Sequence, residues 1–560
     1  MTPADKPGQP ANEQPFRTRA QQLEKSPPCQ VECPNSGDVR GWLGIIAQRE
    51  KHGLSEEQSY DKAWETLTQL NPFPAIIGRI CPHPCESRCV RDGKDGAVSI
   101  NAMERFLGDW GIERKLALPR LEEGDCTESI GVIGSGPAGL SFAYQMARRG
   151  YPVTIYEKHA QPGGMLRHAI PDFRLAPEVV DAEVQRLLDL GVSLRLGVQP
   201  GKDFSLDQLR SWHKLLFLGV GAQGARPLQI EGEAGPGVIP GITYLGLCKL
   251  GVDTDLGSKV VVIGGGNTAI DAARSARRKG ASVSVLYRRS EREMPAEQKE
   301  VDDARSEGVQ FVFLAAPVKV LRDAVIVSGL EYQRMQLGDA DAQGRRQPVP
   351  VDGETHRLEA DTIIVAVSQQ PDWEGLSNAH GEEPWLLTEE DGKLADDLWA
   401  GGDDRGPGIA SRAVAQGRLA AESAHAQLRG KPGPVSRPHH HRLNPDTVKS
   451  DYYAAQVRTD PPRRPQDQWL SRANSEIDQT ISSELALQEA ARCFSCGLCF
   501  DCQQCVMYCN GLGFSPVEDP APGHYYTLAL DACEGCGKCI ELCPCGYLEA
   551  SVESPWVADT

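Results

Sequence analysis

The sequence predicts a multidomain α/β protein in which two nested strand–turn–helix units follow an α-helical segment and precede a small α+β segment. Three observations predict it. A strand, a glycine-rich turn and an apolar helix occur in that order twice, over 129–149 and 259–279. Of eighteen cysteines, five fall before residue 90 and eleven after residue 490, outside both units. The length of 560 residues, with 57 glycines, exceeds what one core accommodates.

The bulk composition excludes several classes. No window holds eighteen consecutive apolar residues, so no transmembrane helix is expected. A net charge of −18 argues against a nucleic-acid binder, which needs a basic surface to neutralise phosphates. The polar start of the chain lacks the charged-then-apolar pattern of a secretory signal. C-x2-C spacing in a large unsecreted protein points to metal ligation rather than disulfides, so a reducing, cytoplasmic location is expected.

The helical segment, 1–125, reads as helices over 41–49, 59–69 and 102–110, with cysteines at 29, 33, 81, 85 and 89. In the first unit, Gly134-x-Gly136-Pro137-Ala138-Gly139 joins a strand to a helix, and Glu157 ends the next strand. Gly134 makes the sharp turn, Gly136 lets a pyrophosphate approach the backbone, and Gly139 lets helix and strand pack closely. The helix N-terminus offers free N–H groups to phosphate, and Glu157 would take ribose hydroxyls. The second unit carries Gly264-Gly265-Gly266-Asn267-Thr268-Ala269, but its next strand ends in Arg288-Arg289. Guanidinium groups pair with a 2′-phosphate where a carboxylate would repel it, which leans towards NADPH, with NADH still open.

One tightly held FAD in the first unit and one exchangeable nicotinamide in the second divide the labour. The outer unit is expected at 126–245 and 365–430, resuming at Asp361-Thr362-Ile363-Ile364-Val365, with the inner unit at 246–364. Asp403, after Gly402, reads as the acid that meets the FAD ribityl chain. Residues 431–490 read as linker and helix, with turn residues over 430–442.

The last segment, 491–560, holds two runs of ferredoxin type. In C-x2-C-x2-C-x3-C three thiolates surround one 4Fe–4S cubane and the fourth serves its neighbour. The spacing assigns Cys499, Cys502, Cys505 and Cys543 to one cluster, and Cys533, Cys536, Cys539 and Cys509 to the other. Asn510 stands where a proline would follow Cys509. Cys493, Cys496 and Cys545 fall outside this frame and are left as non-ligands.

The chain resembles the glutamate synthase small-subunit family, which includes the flavin half of dihydropyrimidine dehydrogenase and the large subunit of electron-bifurcating transhydrogenases. The resemblance covers about 25–430. It rests on Asn71-Pro72-Phe73-Pro74, Cys81-Pro82-x2-Cys85-Glu86-x2-Cys89, the run from Val98 through Glu104 to Phe106, both glycine loops, and Tyr287-Arg288-Arg289 with Met294-Pro295. Gly163-Gly164-Met165-Leu166 and Ile170-Pro171-x-Phe173-Arg174 belong to it too, and with them Lys158, Gly164, Met165, Leu166 and Arg174 join the cofactor-binding residues.

The resemblance implies a helical iron–sulfur domain whose inner cluster is held by Cys33, Cys81, Cys85 and Glu104. The family's outer cluster needs two cysteines upstream of Cys29, and the chain has none. Cys29 and Cys89 are therefore left as unpaired thiols or as substitutes in the remaining site, and the count is three clusters, with four as the alternative.

The implied fold is a helical iron–sulfur domain, two nested Rossmann-like FAD and NAD(P) domains, and a 2[4Fe–4S] ferredoxin-like domain. The implied activity is that of an NAD(P)H:acceptor oxidoreductase with no catalytic side chain assigned. Its expected protein partner is dissimilatory sulfite reductase, with 2-oxoacid:ferredoxin oxidoreductase or ferredoxin as alternatives, and a homodimer is left open. The rival from another class is a non-enzymatic electron-wire or assembly subunit, against which the intact 264–269 loop speaks. A thioredoxin-reductase type of chemistry is rejected, because only Cys248 lies in the nicotinamide unit.

Overall fold

The computed structural model describes residues 18–121, 124, 126–341, 344–376, 383–433 and 441–555. The helical segment is built from Val39–Ala47, Glu56–Thr68, Pro74–Ile80 and Ile100–Glu113. Ser55 and Gln58 cap the second of these reciprocally, satisfying N–H groups that a helix start leaves unpaired. Trp42, Leu43, Ile46, Tyr60 and Phe106 fill the core between them. Pro74–Ile80 and Ile100–Glu113 pack backbone to backbone at Gly108, where a Cβ would stand 2.1 Å from the Ala75 nitrogen.

The first α/β unit is a six-stranded sheet. Its order is Lys393–Ala395, Leu398–Ala400, Leu215–Leu218, Ile130–Ile133, Val153–Glu157 and Ser193–Leu196. All neighbours run parallel except the first pair. Ile130–Ile133 and Leu215–Leu218 are buried at every position, as central parallel strands covered on both faces are. The helices Pro137–Ala147 and Ala410–Leu428 pack over this sheet.

The second unit is a five-stranded parallel sheet in the order Gln310–Phe313, Ser282–Tyr287, Lys259–Ile263, Thr362–Val365 and Val238–Pro240. This corrects the sequence expectation at both boundaries. Thr362–Val365 pairs with Lys259–Ile263 instead of resuming the outer sheet, which takes up the chain again near Lys393. Val238–Pro240, expected in the outer unit, is also a strand of the inner sheet. An apolar run such as Thr362–Val365 fits the middle of either parallel sheet, and its composition does not distinguish them. Where the chain crosses between units, Gly224–Ala225 pairs antiparallel with Gln369–Gln370. A three-stranded antiparallel sheet, Ala315–Asp323, Ile326–Ala340 and Arg346–Glu359, completes the insert.

The cysteine-rich tail comprises the hairpin Phe514–Ala521 and His524–Leu528, the short helices Gln504–Met507 and Lys538–Leu542, and the strand Leu548–Pro555. That last strand pairs antiparallel with Thr18–Gln22. The helix Ser483–Ala491 does not act as a linker. Ile481, Ala486 and Ala490 are buried in the core of the N-terminal helices. No described helix is long and apolar enough to cross a membrane.

Candidate functional site

The two glycine loops have the same construction. Gly134 (φ +96°) and Gly264 (φ +145°) take conformations that L side chains rarely adopt, and a Cβ on either would stand 2.3 Å from a carbonyl oxygen, of Gly219 or Ala366. Gly136 and Gly266 cap the following helices with extended backbone. A Cβ at Gly136 meets nothing within 4 Å, and one at Gly266 meets only Pro295 at 4.0 Å. Each is the open floor of a cradle at a helix N-terminus, the shape that admits a pyrophosphate.

A cavity of about 270 Å³ opens above the first loop. Gly134, Gly136, Pro137, Ala138, Glu157, Lys158, Gly164, Met165, Leu166, Arg174, Gly402 and Asp403 line it, together with Asn267 and Thr268 from the second unit. Sequence candidates more than a hundred residues apart thus converge on one space. Gly139 instead buttresses the loop, its Cα position facing the Gly134 oxygen, and Gly264, Gly266, Arg288 and Arg289 lie outside the cavity.

Within the site, Glu157 is buried and accepts hydrogen bonds from the backbone N–H groups of Ser135 (3.0 Å) and His159 (2.9 Å). Asp403 accepts one from Gly408 N–H (3.0 Å), and burial pushes its carboxyl up to about 6. Arg174 donates to both oxygens of Asp271 at 3.0 Å and lies 3.3 Å from Glu300, so it ties the two units together. Asp271 and Gln369 also line the cavity, and no motif announced them. The arginine pair is split. Arg289 is buried, its Nε donating to the Arg346 carbonyl at 2.9 Å, whereas Arg288 is exposed.

A second cavity, about 40 Å³, is lined by Cys33, Cys81, Cys85 and Glu104. Asn71 donates to Glu104 Oε1 at 2.9 Å, and burial pushes the Glu104 carboxyl up to about 7. Burial and the neighbouring Glu104 push the Cys81 thiol up to about 12. Four acidic groups held this far from water fit a cationic iron core, which would restore their ionised forms. Among the described residues, no group of three or more His, Cys, Asp or Glu is set to hold a single metal ion. The ligand-type side chains stand around cavities instead.

The first two cavities share a wall. Ile80 and Pro82 face the larger one, while Cys81 and His83 face the smaller. On the helix Ala410–Leu428, Ala410 and Ala413 face the larger and Ser411 and Val414 the smaller. Ser411 Oγ is 3.7 Å from Cys81 Sγ.

In the tail, Cys499, Cys502, Cys505 and Cys543 line a cavity of about 20 Å³. Cys545 lines it as well, with its Sγ 3.8 Å from that of Cys543. The other expected quartet is also brought together: burial, then Cys533, Cys509 and Cys536, push the Cys539 thiol up to about 11. Replacing Glu104 by alanine should remove about four irons per chain and alter one electron paramagnetic resonance signal. Unchanged iron and an unchanged spectrum would make Glu104 a bystander.

Comparison with known proteins gives two family matches. The pyridine nucleotide-disulphide oxidoreductase family matches residues 128–417, and dihydropyrimidine dehydrogenase domain II, 4Fe-4S cluster, matches residues 18–116. The NADPH-Fe(3+) oxidoreductase subunit beta of Geobacter sulfurreducens is 39% identical over 352 residues, covering 62% of this chain and 51% of that protein. The glutamate synthase [NADPH] small chain of Azospirillum brasilense is 36% identical over 431 residues, covering 72% and 87%. The putative oxidoreductase YgfK of Escherichia coli O157:H7 is 31% identical over 530 residues, covering 92% and 48%. The chain thus spans about half the length of the first and third of these relatives.

Proposed function

Because the chain belongs to the pyridine nucleotide-disulphide oxidoreductase family, as an iron–sulfur flavoprotein oxidoreductase, we propose that it passes electrons between NADPH and a protein partner through FAD and 4Fe–4S clusters. The observation that carries this is the single 270 Å³ cavity. The first glycine loop, Asn267 and Thr268 of the second unit, and Ile80 and Pro82 beside Cys81 all meet in it. When bound, FAD exchanges a hydride with a nicotinamide and single electrons with iron–sulfur clusters, and the protein's part is to hold these groups in register. Asp403 and Glu157 would hold the flavin nucleotide, and the Arg174–Asp271 pair keeps the two units in apposition. Cys248 is the one cysteine between 246 and 364, so a redox disulfide is not part of this chemistry.

Arg288 is the residue we assign to the 2′-phosphate, since Arg289 is engaged inside the fold. Relatives named for NADPH support the preference. The partner would dock at the tail, where Met507, Tyr508, Leu512 and Leu530 are exposed around Cys509 and the exposed Cys536. Such clustered apolar exposure marks interaction surfaces. Dissimilatory sulfite reductase is the preferred partner on the resemblance of the tail, with 2-oxoacid:ferredoxin oxidoreductase or ferredoxin as alternatives.

Anaerobic addition of NADPH should bleach the flavin band of the reconstituted protein, and no bleaching with either nicotinamide would overturn the proposal. Losing one charged hydrogen-bond partner typically costs about 1.5–3 kcal/mol. Arg288→Ala should therefore raise the NADPH Michaelis constant roughly 10- to 100-fold while leaving that for NADH nearly unchanged. Equal changes in both would remove the phosphate role.

A further inference from the structure

Cys29, Cys89, Cys493 and Cys496 line a fourth cavity, of about 30 Å³, between the two cluster-type cavities in size. Cys29 lies in the helix Pro28–Glu32, Cys89 caps the short helix Glu86–Arg88, and the other two follow Ser483–Ala491. We infer that these four thiols hold a further 4Fe–4S cluster, two ligands coming from the N-terminal segment and two from the tail, more than four hundred residues away.

The loop that brings the second pair has the backbone of a cluster loop. In both ferredoxin-type runs, left-handed residues flank the middle cysteine: Asp501 (φ 60°) and Gln503 (φ 64°) around Cys502, and Gly535 (φ 67°) and Gly537 (φ 71°) around Cys536. Cys496 is flanked in the same way by Ser495 (φ 51°) and Gly497 (φ 73°). This conformation turns successive N–H groups towards the concave side, where sulfur accepts them. Ser495 N–H already lies 3.5 Å from Cys493 Sγ. Non-glycine residues adopt such angles at a cost of order 1 kcal/mol, and in the Cys502 loop Asp501 and Gln503 do so beside the expected ligands.

The surroundings suit an anionic centre. Arg40 is buried against the cavity and donates to the carbonyls of Lys25 (2.7 Å) and Cys496 (2.8 Å). Arg91, also lining it, donates to the carbonyl of Arg492 at 2.5 Å.

The position matters as much as the ligands. Val39 and Ile100 line both this cavity and the Glu104 cavity. On the opposite side, Phe494 lines this cavity and Phe500 the Cys499 cavity, and Tyr453 packs between them, its ring 4.1 Å from that of Phe494 and 5.8 Å from that of Phe500. The site therefore fills the interval between the N-terminal cluster and the tail. It rests on the electron-transfer function proposed above and supplies the missing stage in it.

The test is metal stoichiometry in the full-length, anaerobically reconstituted protein. Iron and acid-labile sulfide should be about sixteen per FAD in the wild type and about twelve in Cys493→Ser/Cys496→Ser. The variant should also lose one signal from the dithionite-reduced electron paramagnetic resonance spectrum. Cys89→Ser, a change in the other half of the site, should lose the same irons and the same signal, and combining all three changes should lose no more. Wild-type iron in either variant, additive losses, or one zinc per chain in place of four irons would overturn the site. Full iron without bleaching by NADPH would instead overturn the function while leaving the site standing.

Discussion

Replacing Gly136 by valine should yield a folded protein that purifies without flavin and oxidises NADPH at least ~100-fold more slowly, the scale on which misplacement by about 1 Å acts. The backbone at Gly136 is extended (φ −71°, ψ 176°), so any residue adopts it, and an added Cβ meets no protein atom within 4 Å. The side chain therefore enters the cavity, where the pyrophosphate would lie. The cost to the fold is that of a poor helix N-cap, about 1 kcal/mol. Absorbance at the flavin band per protein, beside far-ultraviolet circular dichroism, separates lost flavin from lost structure. Gly266→Val is the matched control, since it should retain FAD but resist reduction by NADPH. A Gly136→Val protein with stoichiometric flavin would mean that the dinucleotide lies elsewhere.

Arg492→Ala should destabilise the junction between tail and N-terminal helices by about 3–5 kcal/mol, the usual effect of breaking a buried pair from one side. Arg492 is 1% exposed and Glu489, its partner at 2.6 Å, is fully buried. The guanidinium also donates to the carbonyls of Asp95, Gly96 and Ala97. Glu489 in turn accepts from the N–H groups of Ser99 (2.7 Å) and Thr459 (2.8 Å). Three chain segments thus depend on Arg492 and its two carboxylate partners, Glu489 and Asp95 (3.0 Å). Lysine keeps the charge but not the planar fork, so Arg492→Lys should recover only part of the loss. Hydrogen exchange over 95–101 and 483–499 is the appropriate readout in a multidomain chain. A loss under about 1 kcal/mol would show that the pair is dispensable.

What was legible in the sequence is what local chemistry determines. The glycine loops need specific residues at adjacent positions, and the tail quartets follow from a spacing set by the cubane. The place of Glu104 in one cavity with Cys33, Cys81 and Cys85 was legible only through resemblance, because a lone helical glutamate carries no spacing signal. The fate of Thr362–Val365 and Val238–Pro240 was not legible, since sheet membership is decided by partners far along the chain. Arg288 and Arg289 follow the end of the strand Ser282–Tyr287, and there the first is exposed and the second buried. Treating them as a pair overlooked that. Cys493 and Cys496 sat outside the ferredoxin frame because the cysteines they face are at 29 and 89.

The pairing of Thr18–Gln22 with Leu548–Pro555 has a consequence for biosynthesis. Gln21 and its partner Glu549 are 528 residues apart in sequence. At roughly 5–20 residues per second, a ribosome takes roughly half a minute to two minutes to make the intervening chain. For most of that time Cys29 and Cys89 lack the wall that Cys493 and Cys496 supply. A cluster held by all four thiols would consequently form only after Cys493 and Cys496 are made, and the N-terminal helices, though made earlier, would be finished only then.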